Sequence, residues 1–225
     1  MGKRGPKPKS IGTTWTAELA YVVGIFASDG NLGKDGMYLD VTSVDIETVQ
    51  TVKRILKLEK VSIGTKSSGA GTFAYRLQFK RVLFHQWLRS IGLTPDKSKT
   101  IGRINVPDEY FFDFLRGVWD GDGCIYSYFD PRWKSSYAYY ISIVSASPIF
   151  IQWLQETNER LVGIKGHVSQ SGRSTVKLNF AKRDSKAIFN AMFYATNVAH
   201  LPRKFAKAQK IFRIDEANTQ KRLVT

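Results

Sequence analysis

The chain has 225 residues, and its 34 lysines and arginines against 19 acidic residues give a formal net charge of +15. Hydrophobic residues make up 43% and aromatic residues 13%, which excludes a disordered basic tail. The single cysteine, Cys124, excludes a disulfide framework and a cysteine-based zinc site. The three histidines are too scattered for a local metal motif, and the charge favours a polyanionic partner, nucleic acid first.

Neither a membrane span nor a secretion signal is expected. The longest apolar run near the start, residues 19–27, is far shorter than the roughly 20 residues that a span needs. The basic start of the chain is rich in proline and glycine, and no apolar segment follows it. We therefore expect a protein of the cytoplasm or nucleoid, or of an organelle in a eukaryote, and not a secreted one.

Hydrophobic periodicity and capping residues predict a regular order of elements in the first half. They are a helix over 17–29 capped by Thr16, a strand over 37–43, a helix over 46–58, a hairpin of strands 61–66 and 73–80, and a helix over 83–91. The second half repeats this order, with a helix over 109–122, a strand over 138–145, a helix over 148–161, a hairpin over 166–180 and a helix over 185–194. A further strand is expected directly after the Asp-Gly pair of each half, so each half reads αββαββα.

Internal similarity indicates that the chain contains two related modules. Residues 22–30 read VVGIFASDG and residues 115–123 read LRGVWDGDG. Segment 39–43 then matches 141–145, segment 76–79 matches 177–180, and segment 95–97 matches 202–204, in the same order. The predicted division is a basic arm over 1–14, a first half over 15–107 and a second half over 108–225.

Small residues mark one face of each helix that precedes an Asp-Gly pair. Gly24 and Ser28 are four residues apart, as are Gly117 and Gly121. Residues with this spacing share a helix face, and small side chains there let two helix backbones approach closely. The two helices are therefore expected to pack on each other through these four residues.

Such packing places Asp29 and Asp122 side by side at the C-terminal ends of the two helices. A carboxylate at this end is unfavourable because the helix dipole there is already negative, and a second carboxylate adds repulsion. A divalent cation would neutralise the pair, and ligands that are oxygen atoms only favour Mg²⁺ over zinc. Two such carboxylates in a basic protein suit metal-assisted hydrolysis of phosphodiester bonds.

These two segments resemble the LAGLIDADG motif of homing endonucleases. The copy at 115–123 follows the consensus closely, whereas the copy at 22–30 has Val22 for the first leucine, Ala27 for the first aspartate and Ser28 for the small residue. The penultimate aspartate, which binds metal in that family, is present in both copies as Asp29 and Asp122. Two motifs in one chain resemble the monomeric members, and the similar order of elements extends the resemblance over nearly the whole chain.

The resemblance implies an α+β fold of two pseudo-symmetric αββαββα halves whose antiparallel sheets form a DNA-binding saddle. It implies a site-specific endonuclease that cuts both strands of double-stranded DNA with Mg²⁺, for which Mn²⁺ or Ca²⁺ substitutes in binding. The main-chain carbonyls of Ser28 and Gly121 would also reach metal. The basic residues expected near the site are Lys97 and Lys204, with Lys99 and Lys207 as competing candidates. The family often has a Gln or another polar group at the start of the helix after its first hairpin, but no Gln occurs at 44–45 or 146–147.

Strand alternation predicts which residues of each sheet face the DNA. In the strand over 73–80, Leu77 and Phe79 face the core, so Arg76, Gln78 and Lys80 face outward. In the second half Leu178 and Phe180 are buried, so Lys177 and Asn179 face outward. Further candidates on or beside the strands are Lys66, Tyr126, Tyr128, Arg132, Lys134, His167, Ser169 and Arg173. The arm over 3–9 resembles a short AT-hook-like segment that would bind the minor groove.

Structural interpretations compete with these assignments. Asp-Gly is a common turn pair, so the motif aspartates could simply end their helices. The lysines could be solvated or contact phosphate only, and the outward strand residues could form an ordinary hydrated surface. Asp120 is expected to be structural, because the first copy has Ala27 at that position.

A different functional class also remains open from the sequence. The alternative is a non-cleaving nucleic-acid-binding protein of the same fold, either a maturase that assists splicing of intron RNA or a DNA-binding regulator. Intact aspartates in both motifs argue against lost catalysis, and they leave open a splicing role beside cleavage.

Overall fold

The computed structural model describes residues 10–67, 71, 73–133 and 136–224. The elements of the first half are α1 (Ala17–Ser28), β1 (Gly30–Leu32), β2 (Tyr38–Ser43), α2 (Ile46–Ile55), β3 (Ile63–Ser67), β4 (Phe73–Lys80) and α3 (Val82–Ser90). Those of the second half are α4 (Phe111–Asp122), β5 (Gly123–Phe129), β6 (Tyr137–Ser145), α5 (Pro148–Val162), β7 (His167–Ser171), β8 (Thr175–Ala181), α6 (Lys182–Met192) and α7 (Pro202–Val224). Short 3₁₀ turns occupy Lys97–Lys99 and Asp108–Tyr110.

The predicted fold class is confirmed as α+β with two pseudo-symmetric αββαββα halves. Each half has one antiparallel four-stranded sheet, with strand order β1-β2-β4-β3 in the first and β5-β6-β8-β7 in the second. The first strand of each sheet starts immediately after Asp29 or Asp122, as predicted. Gly30, the residue after Asp29, pairs with Val41, and Gly123, the residue after Asp122, pairs with Ile143, so one end of each sheet lies near its aspartate.

Local sequence explains where the main helices begin and end. The Thr16 side chain accepts a hydrogen bond from the Leu19 N–H at 3.1 Å and caps α1, as expected. The Ser147 side chain does the same for α5, which has proline at its first position. Helix α2 is shorter than predicted, because Lys57 adopts the left-handed conformation with φ of 52°.

The long helix α7 was not predicted. In the repeat alignment the first half has only the 3₁₀ turn Lys97–Lys99 at the position where α7 begins. A narrow apolar stripe attaches α7 to the second sheet, where the Phe212 ring packs on Tyr139 with centroids 5.5 Å apart. The Tyr139 hydroxyl also donates to Asp215 at 3.2 Å. Because most other positions of α7 are polar or charged, its periodicity is weak in the sequence.

Helices α1 and α4 pack directly on each other through their glycines. A Cβ on Gly24 would overlap the carbonyl oxygen of Phe114 and lie 2.9 Å from the Cα of Gly117. A Cβ on Gly117 would overlap the carbonyl oxygen of Tyr21. The backbones therefore touch, and the buried residues of the two halves join into one continuous hydrophobic core.

None of the helices in the described part of the chain combines the length and the apolar character that crossing a bilayer requires.

Replacing Gly117 by alanine is expected to destabilise the fold by about 3 kcal/mol, because the added methyl group meets backbone atoms that cannot move without separating the helices. Urea unfolding followed by circular dichroism measures this change. Gly102→Ala is the matched control, since its Cβ would lie 3.8 Å from the nearest atom, on Ile149. Equal stability of the two variants would contradict the close approach of α1 and α4.

Candidate active site

The two motif aspartates lie at the C-terminal ends of the paired helices. Asp29 follows α1, and its backbone N–H donates to the Ile25 carbonyl at 2.9 Å. Asp122 is the last residue of α4. A Cβ on Gly121 would overlap the side chain of Ser28 and lie 3.3 Å from Oδ2 of Asp29. The missing side chain at Gly121 therefore lets the two carboxylate-bearing helix ends meet.

The aspartates affect each other electrostatically. Surrounding protein limits the hydration of Asp29 and, with repulsion from Asp122, raises the pKa of its carboxyl to about 6. Reduced hydration also raises the pKa of Asp122, although this residue is the more exposed of the two. Lys97 and Lys204 partly offset both shifts. A cation between the carboxylates would relieve the remaining repulsion.

Lys97 lies in the 3₁₀ turn beside α1 and has only 6% of its surface exposed. Its ammonium group donates to the carbonyl oxygen of Gly30, the residue that follows Asp29. Burial lowers the pKa of Lys97, whereas the two aspartates act in the opposite direction. The competing candidate, Lys99, is exposed.

Lys204 occupies the corresponding place in the second half, in the first turn of α7. Its ammonium group donates to the carbonyl oxygens of Trp119 at 2.8 Å, Asp120 at 2.7 Å and Gly123 at 2.6 Å. A longer contact of 3.2 Å reaches the carbonyl of Gly121. Lys204 thus neutralises the negative end of α4, and burial lowers its pKa. Its competitor at position 207 is exposed.

The donor atoms at the helix ends fit a hard divalent cation. They are the carboxylates of Asp29 and Asp122 and nearby main-chain carbonyls, so all of them are oxygen atoms. Within the described ranges, no group of three or more His, Cys, Asp or Glu side chains could hold a metal. A cation here would therefore complete its coordination with main-chain carbonyls, such as those of Ser28 and Gly121, and with water.

The outward face of the first sheet carries the residues expected there. Gln78 and Lys80 are exposed on β4, and Arg76, two residues before Gln78, is half-buried. The Arg76 guanidinium donates to Asp40 on β2 at 2.8 Å, which fixes its orientation. Lys66 is exposed on the neighbouring strand β3.

The outward face of the second sheet brings together most of the candidates from that half. Tyr126 lies opposite Tyr140 across β5 and β6, and the Lys177 ammonium lies 5.7 Å from the centre of the Tyr126 ring. Asn179 donates to Ser169 at 3.1 Å. His167 pairs with Asn179 in the β7–β8 register, and Tyr128 is exposed further along β5.

Two candidates lie in turns outside the sheet faces. Arg132 forms an ion pair with Asp130 at 3.1 Å at the end of the β5–β6 hairpin. Arg173 is exposed in the turn between β7 and β8. Lys134 and the basic segment 3–9 lie outside the described residues.

Comparison with solved structures gives extensive matches at low sequence identity. The meganuclease I-SmaMI bound to uncleaveable DNA aligns with a TM-score of 0.64 and 14% identity, over 98% of this chain and 94% of that one. The LAGLIDADG homing endonuclease I-LtrWI bound to target DNA gives 0.62 and 12% identity, over 93% of each chain. Full-length DUF199/WhiA from Thermatoga maritima gives 0.55 and 12%, over 92% of this chain and 68% of that one. No protein-family model and no curated sequence matches this chain.

The chain has the LAGLIDADG homing endonuclease fold. Beside the candidate site lies an ion pair that was not predicted from the sequence. Arg203 donates to both carboxylate oxygens of Asp45, at 2.5 Å and 2.6 Å. The pair joins the start of α2 in the first half to the start of α7 in the second, next to Lys204. Asp45 is the acidic cap of its helix and could be noticed as such, but its partner is 158 residues away in sequence.

The corresponding contact of the second half is a hydrogen bond rather than an ion pair. The Ser147 hydroxyl donates to the carbonyl of Ile101 at 2.5 Å. A cavity of about 270 Å³ opens on this side, with Asp122, Lys97 and Ser98 in its wall. Asp45 and Ser147, at the starts of α2 and α5, therefore each bind a residue of the other half.

Asp120 is structural, as expected. Only 3% of its surface is exposed, and its Oδ2 accepts hydrogen bonds from the Tyr21 hydroxyl at 2.9 Å and the Leu201 N–H at 2.7 Å. Burial raises the pKa of its carboxyl to about 6. Asp120 thus fixes the segment that leads into α7 and Lys204.

A buried ion pair on α4 was not anticipated. Arg116 has 1% of its surface exposed and donates to Asp113 at 2.5 Å and to the Ala199 carbonyl at 2.7 Å. It also donates to the Met192 carbonyl. The sequence signal for this ion pair was two opposite charges, three residues apart, among the apolar residues of the first two turns of α4.

Replacing Asp29 by asparagine is expected to stabilise the metal-free protein at pH 7.5. The carboxyl has a pKa of about 6 when folded and about 3.9 when unfolded, so the folded state binds its proton more strongly between these values. The charged carboxylate therefore costs stability above pH 6, and this cost disappears as the pH falls towards 4. We expect a gain of about 1–2 kcal/mol at pH 7.5, after allowance for solvent screening, and a smaller gain at pH 5.

Thermal unfolding in EDTA at the two pH values measures this effect. Asp108→Asn is the control, because Arg160 lowers the pKa of Asp108 and its charge is favourable in the folded state. This control variant should gain no stability at pH 7.5. A destabilised Asp29→Asn protein at pH 7.5 would show that the charged pair is already neutralised by its lysines.

Proposed function

We propose that this protein is a site-specific endonuclease that hydrolyses both strands of a double-stranded DNA target. The observation that carries the proposal is the meeting of Asp29 and Asp122 at the ends of α1 and α4, each flanked by a buried lysine. Carboxylates held together by close backbone packing, with raised pKa values, are typical of a cation site rather than of two ordinary helix ends. I-SmaMI and I-LtrWI, which share the fold, are DNA-bound in their structures.

Each half would serve one DNA strand. Each pseudo-symmetric half contributes one aspartate and one buried lysine to the junction, so a single polypeptide would act as a monomer on two phosphates. The outward faces of the two sheets would bind the duplex on either side of the junction. The net charge of +15 supports contact with a long stretch of phosphate backbone.

The aspartates would hold Mg²⁺, with Mn²⁺ or Ca²⁺ as substitutes in binding. When bound, such a cation supplies positive charge to the phosphate and lowers the pKa of water. Asp29 and Asp122 provide the negative charge that attracts it. Lys97 and Lys204 place ammonium groups close to the carboxylates, where they would stabilise charge that develops on the phosphate.

The lysines also hold the helix ends in position. Lys97 binds the carbonyl of Gly30 and Lys204 that of Gly123, so each lysine fixes the turn that follows its aspartate. Lys204 also reaches three further carbonyls, whereas the hydrogen bond of Lys97 within the described part of the chain is the one to Gly30, so loss of Lys204 is expected to destabilise the fold more.

One observation favours the second candidate, a non-cleaving nucleic-acid-binding protein such as an intron RNA maturase or a DNA-binding regulator. The Lys204 ammonium contacts the carbonyl of Gly121, one of the oxygens that would ligate metal. If the Lys204 ammonium keeps this contact when DNA is bound, the Gly121 carbonyl is less available as a ligand to the cation. The fold is also shared with DUF199/WhiA.

Cleavage of a randomised double-stranded DNA library, with Mg²⁺ and with EDTA, tests the proposal. We expect metal-dependent enrichment of one long cut site by the wild-type protein. Asp122→Asn and Asp29→Asn should lose cleavage of both strands or nick only one, while duplex binding survives. Asp108→Asn is a control, because this exposed residue pairs with Arg160 away from the site. Tight binding without cutting under any metal condition would favour the second candidate.

Replacing Lys97 by methionine is expected to slow cleavage roughly 100-fold, because the positive ammonium group near the phosphate is lost. Lys204→Met should slow cleavage similarly and also reduce stability, since it leaves several α4 carbonyls without a donor. Single-turnover cleavage and urea unfolding separate the two effects. The exposed lysines at 99 and 207 provide matched controls, and equal losses in Lys99→Met and Lys97→Met would contradict the assignment.

A further inference from the structure

The outward faces of the two sheets differ in their chemistry. On the first sheet, cross-strand partners on this face include Asp40 beside Gln78 and Arg76, with Lys80 at the end of β4. On the second sheet, the corresponding residues of the described strands include one lysine, Lys177, and otherwise carry neutral side chains when His is counted as neutral.

Three stacked tyrosines dominate the face of the second sheet. The rings of Tyr126 and Tyr140 lie 5.3 Å apart at 18°, and those of Tyr128 and Tyr140 lie 6.3 Å apart at 13°. Small residues surround them, since Tyr128 lies opposite Ala138 and Tyr140 lies opposite Ala181. Stacking covers the inner faces of these rings and the Lys177 ammonium lies over the Tyr126 ring, so the stack presents mainly ring edges and hydroxyls to its surroundings.

A recess of about 380 Å³ lies beside this stack, with Tyr126, Tyr140, Lys177 and Asn179 in its wall. The Asn179 amide donates to Ser169, whereas its Oδ1 is enclosed and has no hydrogen-bond partner in the described part of the chain. Turning this side chain towards a base would exchange the bond from its Nδ2 to Ser169 for one to the base, and would give the enclosed Oδ1 a partner. Asparagine is the side chain that pairs with adenine through N6 and N7 in the major groove.

On the strands of this surface, Lys177 is the cation that could recognise guanine, and its ammonium group lies over the Tyr126 ring. Guanine is read mainly by the paired donors of arginine or by lysine, and the first sheet offers Arg76 in an orientation fixed by Asp40. Tyrosine edges and alanine methyls instead suit the one apolar group that the major groove presents, the C5-methyl of thymine. An asparagine beside them suits the adenine of the same base pair.

We propose that the second sheet recognises an A·T-rich half of the DNA target by packing its stacked tyrosines against thymine C5-methyl groups, whereas the first sheet reads guanine through Arg76. The inference rests on the proposed function, because it requires that the two faces contact the major groove of one duplex. The two DNA half-sites would then differ in base composition, although the two halves of the protein have similar folds.

The two halves should also differ in their response to salt. Removing one phosphate contact reduces the slope of log affinity against log salt concentration by about one. Most cations on the outward faces of the two sheets lie on the first sheet. Substitution of Lys80 should therefore reduce the slope of affinity against salt, whereas substitution of a tyrosine should lower affinity and leave the slope unchanged.

The test begins with selection of bound duplexes from a randomised library by the wild-type protein in EDTA, which separates binding from cleavage. Selection with Tyr140→Ala and with Arg76→Ala then shows which half-site each sheet contacts. In the selected duplex, thymines of each half are replaced in turn by deoxyuridine, which lacks only the C5-methyl. Circular dichroism verifies that each variant is folded, and the exposed Tyr128→Ala replaces Tyr140→Ala if that variant is unstable.

We expect each deoxyuridine in the half-site of the second sheet to weaken binding about fourfold, the equivalent of one buried methyl group. In Tyr140→Ala the loss of affinity caused by the same replacement should shrink to less than twofold. For the wild-type protein, deoxyuridine in the half-site of the first sheet should also cost less than twofold in affinity. A guanine-rich second half-site would overturn the inference, as would a deoxyuridine effect that Tyr140→Ala leaves intact. Failure to bind any duplex would overturn the proposed function itself.

Discussion

The contact between the backbones of α1 and α4 is the constraint on which the rest of the molecule depends. Gly24 and Gly117 remove the side chains that would separate these helices, so the chain brings two negative helix ends to one point. Repulsion between Asp29 and Asp122 at that point is tolerated because the buried cores of both halves join across the helix pair. Packing energy thus maintains an electrostatic arrangement that isolated helices would avoid.

The surrounding cations moderate this arrangement without cancelling it. Lys97 and Lys204 bind main-chain carbonyls rather than the carboxylates, so their charge is close to the aspartates while the carboxylate oxygens stay available. Arg203 is occupied by Asp45 and does not neutralise the pair. The site consequently combines two carboxylates of raised pKa with two lysines of lowered pKa.

Much of the fold could be predicted from the sequence because its signals are local. The repeated motif, the spacing of Gly24 from Ser28 and the cap at Thr16 each act within one helix, and strand alternation assigned Arg76 and Gln78 to the outward face. The pair Asp45–Arg203 could not be predicted, because it depends on how the halves sit against each other. Helix α7 was missed because its apolar stripe is narrow, and the environment of Lys204 depends on that helix.

The buried charged residues of α4, which are Asp113, Arg116 and Asp120, limit how freely one half could replace the other. In the aligned first motif the positions of Asp113, Arg116 and Asp120 hold Ala20, Val23 and Ala27. A homodimer built from the second half alone would have Phe114 in place of Tyr21 and would lose the hydroxyl that donates to Asp120, and one built from the first half would lack α7 altogether. The two halves are therefore not interchangeable, and a hybrid protein that joins the second half to another scaffold needs a replacement for the Tyr21 hydroxyl.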